Sequence, residues 1–228
     1  MSNKILKIGH RGAKGHVTEN TLESIQKALD LGVDGVEIDV HLCESGELVV
    51  FHDFTVDRMT DGTGEVSNFR LKELKKLKVK SRFQIPTLSQ VLLLVNNRCL
   101  VNIELKGLNT AKEACRLIEF FVDKKGWDYN NFLVSSFQDD LLETVCKTNK
   151  EIPIGVLTHT NLESSLRLAN TIKAKSIIVN YTMLTTDLVS KIKEKHQVIA
   201  YTVNNLKPIE RIKTYEVNGI ITDYPDRL

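Results

Sequence analysis

Glu37 and Asp39 stand two residues apart in GVEIDV (35–40), alternating with Val36, Ile38 and Val40. Successive strand side chains point to opposite faces, so this spacing sends both acids one way and the aliphatics the other, with His41 on the acids' face. Glu104 and Lys106 repeat the spacing in IELK (103–106), while His10-Arg11 and His52-Asp53 end two further aliphatic runs. If their strands are neighbours, ~4.8 Å apart with ~6.6 Å between i and i+2, Glu37, Asp39 and Glu104 reach one common ion. Three like charges in a partly desolvated mouth repel unless a cation sits among them. Oxygen ligands without thiolates favour Mg²⁺ or Ca²⁺ over zinc. His10 and His52 titrate near neutrality and can pass a proton either way. Arg11 and Lys106 add fixed positive charge that suits a substrate anion, phosphate being the common one. Two other readings compete: an ion-pair network in which Lys106 or Arg11 satisfies Glu104, and glycosidase chemistry on paired carboxylates. His16, His41, His159 and His196 lack such neighbours and read as surface or packing residues.

Positioning these residues requires strands that end together. Aliphatic runs at 5–10, 35–42, 99–105, 132–137, 152–158, 176–181, 197–203 and 219–223 alternate with segments whose apolar residues recur at i, i+3 and i+4. Those helical segments lie at 20–32, 87–97, 109–126, 138–149, 161–172, 185–196 and 206–217, several opening on Asn, Thr or Asp as caps. Strand followed by helix, about eight times over, predicts an α/β protein with a (β/α)8 TIM barrel, whose functional residues gather at the C-terminal strand ends. A doubly wound open sheet is the alternative, and the short C-terminal end after the last strand leaves closure in question. Residues 47–86 break the alternation with an extra strand (48–52), Gly/Asp/Thr turns and a short helix from about Ser67. They read as an insertion after strand two, too small to hold its own core. The expected organisation is one catalytic domain over 1–228 with an insertion subdomain at about 54–86.

The 228 residues are 42% hydrophobic and 26% charged, with a net charge of +2, enough apolar content for a sizeable core and no basic excess for nucleic acid. No apolar run approaches the ~20 residues that span a bilayer, and MSNKILKIGHRG has no long apolar region, so no secretory signal is expected. Cys43, Cys99, Cys115 and Cys146 are widely spaced without a CxxC pair and read as reduced thiols. The expectation is a cytoplasmic protein with a small-molecule substrate, no nucleic-acid partner and no stable membrane insertion. Homo-oligomer formation is kept open.

The assembled motifs resemble the glycerophosphodiester phosphodiesterase family. They are HRG (10–12), ENT (19–21), GVEIDV, VVFHD (49–53), IPTL (85–88), IELK (103–106), VSSF (134–137), YTVN (201–204) and GIITDYPD (219–226). They run in order over nearly the whole chain and are specific jointly rather than singly. The resemblance implies that Glu37, Asp39 and Glu104 hold a divalent cation, that His10 and His52 are the acid–base pair, and that Arg11 and Lys106 meet the phosphate. It further implies that one histidine takes a proton from the glycerol 2-hydroxyl, which attacks phosphorus, while the other protonates the departing alcohol. Water then opens the cyclic phosphate, giving sn-glycerol 3-phosphate. Two departures stand out: Thr18 where the family often has Pro, leaving Asn20 or Thr18 to cap helix one, and Tyr201 where it often has Trp. The second bears on the choice of alcohol. A lysophospholipase D acting on lipid phosphodiesters is the alternative, although no Phe/Leu/Trp-rich loop is evident. A non-catalytic barrel binding protein is a more distant one.

Overall fold

The computed structural model describes residues 4–228. In chain order its elements are β1 (Leu6–His10), α1 (Leu22–Asp30), β2 (Gly35–Leu42), β3 (Leu48–Val50), α2 (Leu71–Leu74), α3 (Leu88–Val95), β4 (Leu100–Leu105) and α4 (Thr110–Lys125). They continue with β5 (Phe132–Ser136), α5 (Asp139–Thr148), β6 (Ile154–Thr158), α6 (Leu162–Ile172), β7 (Ser176–Asn180), α7 (Thr186–Lys193), β8 (Gln197–Tyr201), α8 (Leu206–Lys213) and β9 (Gly219–Thr222).

Eight parallel strands close into a ring in the order β1-β2-β4-β5-β6-β7-β8-β9, and β9 pairs back onto β1 from Leu6↔Gly219 to Gly9↔Thr222. This is the expected (β/α)8 barrel, and the ring excludes the open sheet. Closure needs only strand pairing, so it is complete although β9 is followed by a single 3-10 turn, Pro225–Arg227. The short β3 lies antiparallel on β2 from Val40 to Leu42, just past the Gly35–Glu37 stretch that pairs with β1. It takes over backbone groups of β2 that β1 no longer reaches.

Period-2 patterning separates two cores. Val36, Ile38, Val40, Val101 and Ile103 face outward and are fully buried with the helix residues Ile25, Leu92 and Ile118. Each such burial contributes ~1.5–3 kcal/mol. Ile8, Leu133, Leu157, Ile178, Ile199 and Ile221 face inward and plug the barrel. One pleat further toward the C-terminal ends, the inward positions become His10, Ser135, Tyr201 and Asp223. The plug therefore fills the lower barrel and leaves its mouth polar.

Side chains of Thr21, Thr87, Asn161 and Thr185 cap their helices as expected from composition. Helix one is a correction in detail. Its cap is Thr21, whose Oγ1 accepts from Ser24 N at 3.1 Å, not Asn20 or Thr18. A second correction concerns the insertion. Val49, Phe51, Val56, Met59, Val66, Leu74, Val79 and Ile85 gather with Cys43 into their own apolar cluster. Isolated bridges at Thr55↔Glu65 and Val79↔Phe83 fold this short chain back on itself, which lets so few residues bury one another. All four cysteines are free. Among the described residues no helix is long and apolar enough to cross a membrane.

Candidate active site

The β2–β4 register sets Asp39 beside Glu104, and the β1–β2 register sets His10 beside Glu37. Oxygens of Glu37, Asp39 and Glu104 consequently lie within 4.8 Å of one another at the barrel mouth. The chain leaves β1 through a left-handed turn, Arg11 at φ 51° and Gly12 at φ 85°. A Cβ on Gly12 would meet Ser24 at 2.5 Å, so the turn requires glycine there. The turn aims the Arg11 amide into the mouth, where it donates to Glu37 Oε2 at 2.9 Å. The guanidinium folds back, with Nη1 donating to Glu19 at 2.8 Å and Nε 3.2 Å from Asp39 Oδ2. Lys106 Nζ donates to Glu104 at 2.9 Å and lies 3.7 Å from Asp39. Asn20, freed from capping, donates to Asp39 Oδ2 at 2.9 Å.

Burial pushes the Glu37 carboxyl well above its usual range, and the nearby Asp39 and Glu104 add to the effect. Burial and Asp39 likewise raise Glu104 to about 7, against the pull of Lys106. Glu37 Oε1 is buried and has no hydrogen-bond partner. The ion pair anticipated between Lys106 and Glu104 does form, yet it leaves that oxygen and the mutual repulsion unanswered. A hard divalent cation would satisfy both, so the three carboxylates fit one.

The histidines sit on opposite flanks of this cluster. His10 Nδ1 is 2.5 Å from Asp223 Oδ1, and its Nε2 is 3.9 Å from Glu37 Oε2. His52 Nδ1 is 2.7 Å from Asp53 Oδ1, and its Nε2 is 3.3 Å from Lys106 Nζ. In both, an aspartate holds the ring through Nδ1, leaving Nε2 facing Glu37 in His10 and Lys106 in His52. Burial lowers the pKa of each imidazole; Arg11 adds to this at His10, and Arg11 and Lys106 at His52. These effects oppose the aspartates, which favour the charged form of each ring.

All seven residues singled out by spacing and resemblance are brought together. The roles of Glu19, Asn20, Asp53, Arg58, Asn204 and Asp223 were missed. Glu19 and Asn20 lie in the ENT motif and Asp53, Asn204 and Asp223 at strand ends, but Arg58 carried no signal in the sequence. Asn204 donates to Asp223 Oδ2 at 2.9 Å and holds the His10 partner in place. His41 is buried, donating from Nε2 to the His52 carbonyl at 3.2 Å and lying edge-on to Phe54, a packing role beside the site. His16 pairs with Asp226, His159 packs on Phe137, and His196 Nδ1 donates to the Ala174 carbonyl.

Residues 10–227 match the model of the glycerophosphoryl diester phosphodiesterase family. A glycerophosphodiester phosphodiesterase of Caldanaerobacter subterraneus subsp. tengcongensis is 36% identical over 237 residues, covering 99% of this chain and 96% of that one. One from Bacillus altitudinis is 35% identical, covering 96% and 94%. The solved structure of an Oleispira antarctica phosphodiesterase in complex with the product sn-glycerol 3-phosphate superposes with a TM-score of 0.87 at 28% identity, over 96% of this chain and 93% of that one. With near-complete coverage in sequence and a shared closed barrel, this chain belongs to the glycerophosphoryl diester phosphodiesterase family and is an enzyme of that class.

Proposed function

We propose that this enzyme hydrolyses glycerophosphodiesters to sn-glycerol 3-phosphate and an alcohol, in a metal-dependent reaction with His10 and His52 as acid and base. The observation that carries the reading is the pair of aspartate-held imidazoles beside the Glu37–Asp39–Glu104 cluster, Nε2 of His10 facing Glu37 and Nε2 of His52 facing the Lys106 that bonds Glu104. Glu37, Asp39 and Glu104 would hold Mg²⁺ or Ca²⁺, which when bound supplies Lewis-acid stabilisation of charge on the phosphoryl oxygens. Arg11 and Lys106, both largely buried beside the cluster, bind and orient the phosphodiester. One Nε2 accepts the proton of the glycerol 2-hydroxyl as that oxygen attacks phosphorus. The other imidazole, protonated, donates to the leaving alcohol oxygen, and the roles reverse as water opens the cyclic phosphate. Asp223 and Asp53 hold the rings and stabilise whichever imidazolium forms.

In this reading the chain works as one catalytic domain, with 54–86 a subdomain that flanks the site, and it acts in the cytoplasm, where four unpaired thiols persist. A second reading, lysophospholipase D activity, gains from one observation. Phe54 and Leu108, 60% and 72% exposed, border a cavity of about 540 Å³ that His41 also lines. The apolar surface absent from any single loop of the sequence is assembled there from two.

Purified protein should release sn-glycerol 3-phosphate from glycerophosphocholine, lose that activity in EDTA and regain it with Mg²⁺ or Ca²⁺. Full activity in EDTA would remove the metal from the reaction. Faster turnover of lysophosphatidylcholine than of glycerophosphocholine would favour the second reading.

A further inference from the structure

Arg58 belongs to the insertion, yet its side chain reaches two places in the barrel mouth. Its Nε donates to Asp53 Oδ2 at 2.5 Å and its Nη2 to Asp53 Oδ1 at 3.0 Å, a two-pronged grip on the aspartate that holds His52. The same Nη2 donates to Glu19 Oε1 at 2.8 Å. That one oxygen also accepts from Arg11 Nη1 at 2.8 Å. Glu19 is buried, and its other oxygen, Oε2, lies 3.7 Å from Lys14 Nζ.

The insertion holds the Arg58 backbone from behind. Lys80 Nζ donates to the Arg58 carbonyl at 3.0 Å, and the Lys80 amide donates to the Met59 carbonyl at 2.7 Å. The Met59 side chain sits in the insertion's apolar cluster and its sulfur lies 3.0 Å from Arg58 Nη1. The fork is therefore anchored on a small core of its own.

We propose that Arg58 is a positioning residue that braces His52 through Asp53 and Arg11 through Glu19, coupling the folded insertion to both the proton-transfer group and the phosphate contact. The proposal rests on His52 and Arg11 having the roles given above. It accounts for two features that the reaction scheme does not use: a half-exposed arginine with a bidentate geometry, and an oxygen of Glu19 shared between two guanidinium groups. Supporting charges are in place. The hydrogen bond from Arg58 brings Asp53 down to about 2. Burial alone would raise Glu19, but Arg58, Arg11 and Lys14 bring it down to about 2 as well.

A brace of this kind acts on geometry. Outer partners of this type typically cost ~10–100-fold in activity when removed, and small misplacements of a reacting group reach on the order of 10²-fold. A half-exposed ion pair contributes little to folding, so the loss should fall on kinetics rather than on melting.

The test compares Arg58→Ala, Arg58→Lys, Asp53→Asn, Glu19→Gln and His52→Ala in the metal-loaded enzyme on glycerophosphocholine, with Arg70→Ala as an insertion control. Among the described residues the Arg70 side chain pairs with Glu44, on the exposed side of the insertion, and its removal should leave kinetics unchanged. Arg58→Ala should lower kcat ~10–100-fold and raise KM, with the melting temperature moved by no more than ~4 °C. Lysine cannot form the fork, so Arg58→Lys should remain within ~10-fold of the alanine variant in kcat. Asp53→Asn should act mainly on kcat and Glu19→Gln mainly on KM. In combination, Arg58→Ala should add little to the kcat loss of Asp53→Asn or to the KM rise of Glu19→Gln, because each pair shares one contact. Wild-type kinetics in Arg58→Ala with an inactive His52→Ala overturn the brace and leave the reading of His52 standing. An active His52→Ala overturns that reading, and the brace with it. Multiplicative losses in both double variants overturn the shared-contact arrangement.

Discussion

His10 and Asp223, 213 positions apart, meet through a 2.5 Å contact between Nδ1 and Oδ1 at the seam where β9 closes on β1. The contact fixes which nitrogen of His10 faces the carboxylates and offers a negative charge to the imidazolium. Asp223→Asn keeps an oxygen for the Nδ1 proton but removes that charge. It should lower kcat ~10–100-fold with KM changed little, as measured by steady-state release of sn-glycerol 3-phosphate. A kcat within twofold of wild type would detach Asp223 from the proton transfer.

The two histidines should matter to chemistry more than to binding. General acid–base help is worth ~10²–10⁴-fold, so His10→Ala and His52→Ala should each lower kcat at least ~10²-fold. The double variant should fall far short of the product of the two losses, since both act on one reaction. Retention of more than about a tenth of kcat by either single variant removes that histidine from the pair.

The carboxylate cluster makes a pH prediction for the metal-free protein. Glu37 and Glu104 have folded values raised above their ordinary 4.5, Glu104 to about 7. The folded state therefore binds more protons than the unfolded one between these limits, and stability falls as pH rises from 4.5 toward about 7. Glu37→Gln removes one charge and its repulsion of Glu104. In EDTA, the variant should melt with wild type near pH 4.5 and above it near pH 7.5, by ~2–4 °C for each kcal/mol relieved. It should also lose metal affinity in calorimetric titration. An unchanged titration would rule out this ligand set.

The glycerol 2-hydroxyl separates internal attack from direct attack by water. A positioned intramolecular nucleophile has an effective molarity of ~10⁵ M or more in favourable cases. A diester with that hydroxyl replaced by hydrogen should still bind, because the proposed phosphate contacts of Arg11 and Lys106 do not involve it, yet turn over negligibly. Turnover within about tenfold of the natural diester would defeat the cyclic route and reassign His10 and His52 to activating water.

Much of the arrangement was decided by local sequence. The alternation in GVEIDVHL marks β2 with its observed limits, Gly35–Leu42, and the same alternation already separates Glu37 and Asp39 from Val36, Ile38 and Val40. Period-2 geometry needs no partner to be read, and neither does the helical period that spaces the strands. Other features depended on contacts between distant segments. The pairing of Asp223 with His10 exists only because β9 returns to β1. Asn20 binds Asp39 rather than capping α1 because Thr21 takes the cap and the left-handed turn redirects the chain before it. Arg58 sits in a turn-rich stretch without periodicity, and its direction is set by an apolar cluster that the length of the insertion argued against. A side chain's face is a property of its own strand, whereas its partner is fixed by ring closure and by how a loop packs. Those depend on free-energy differences summed over many residues far apart in the chain, and so only the tertiary structure decides them.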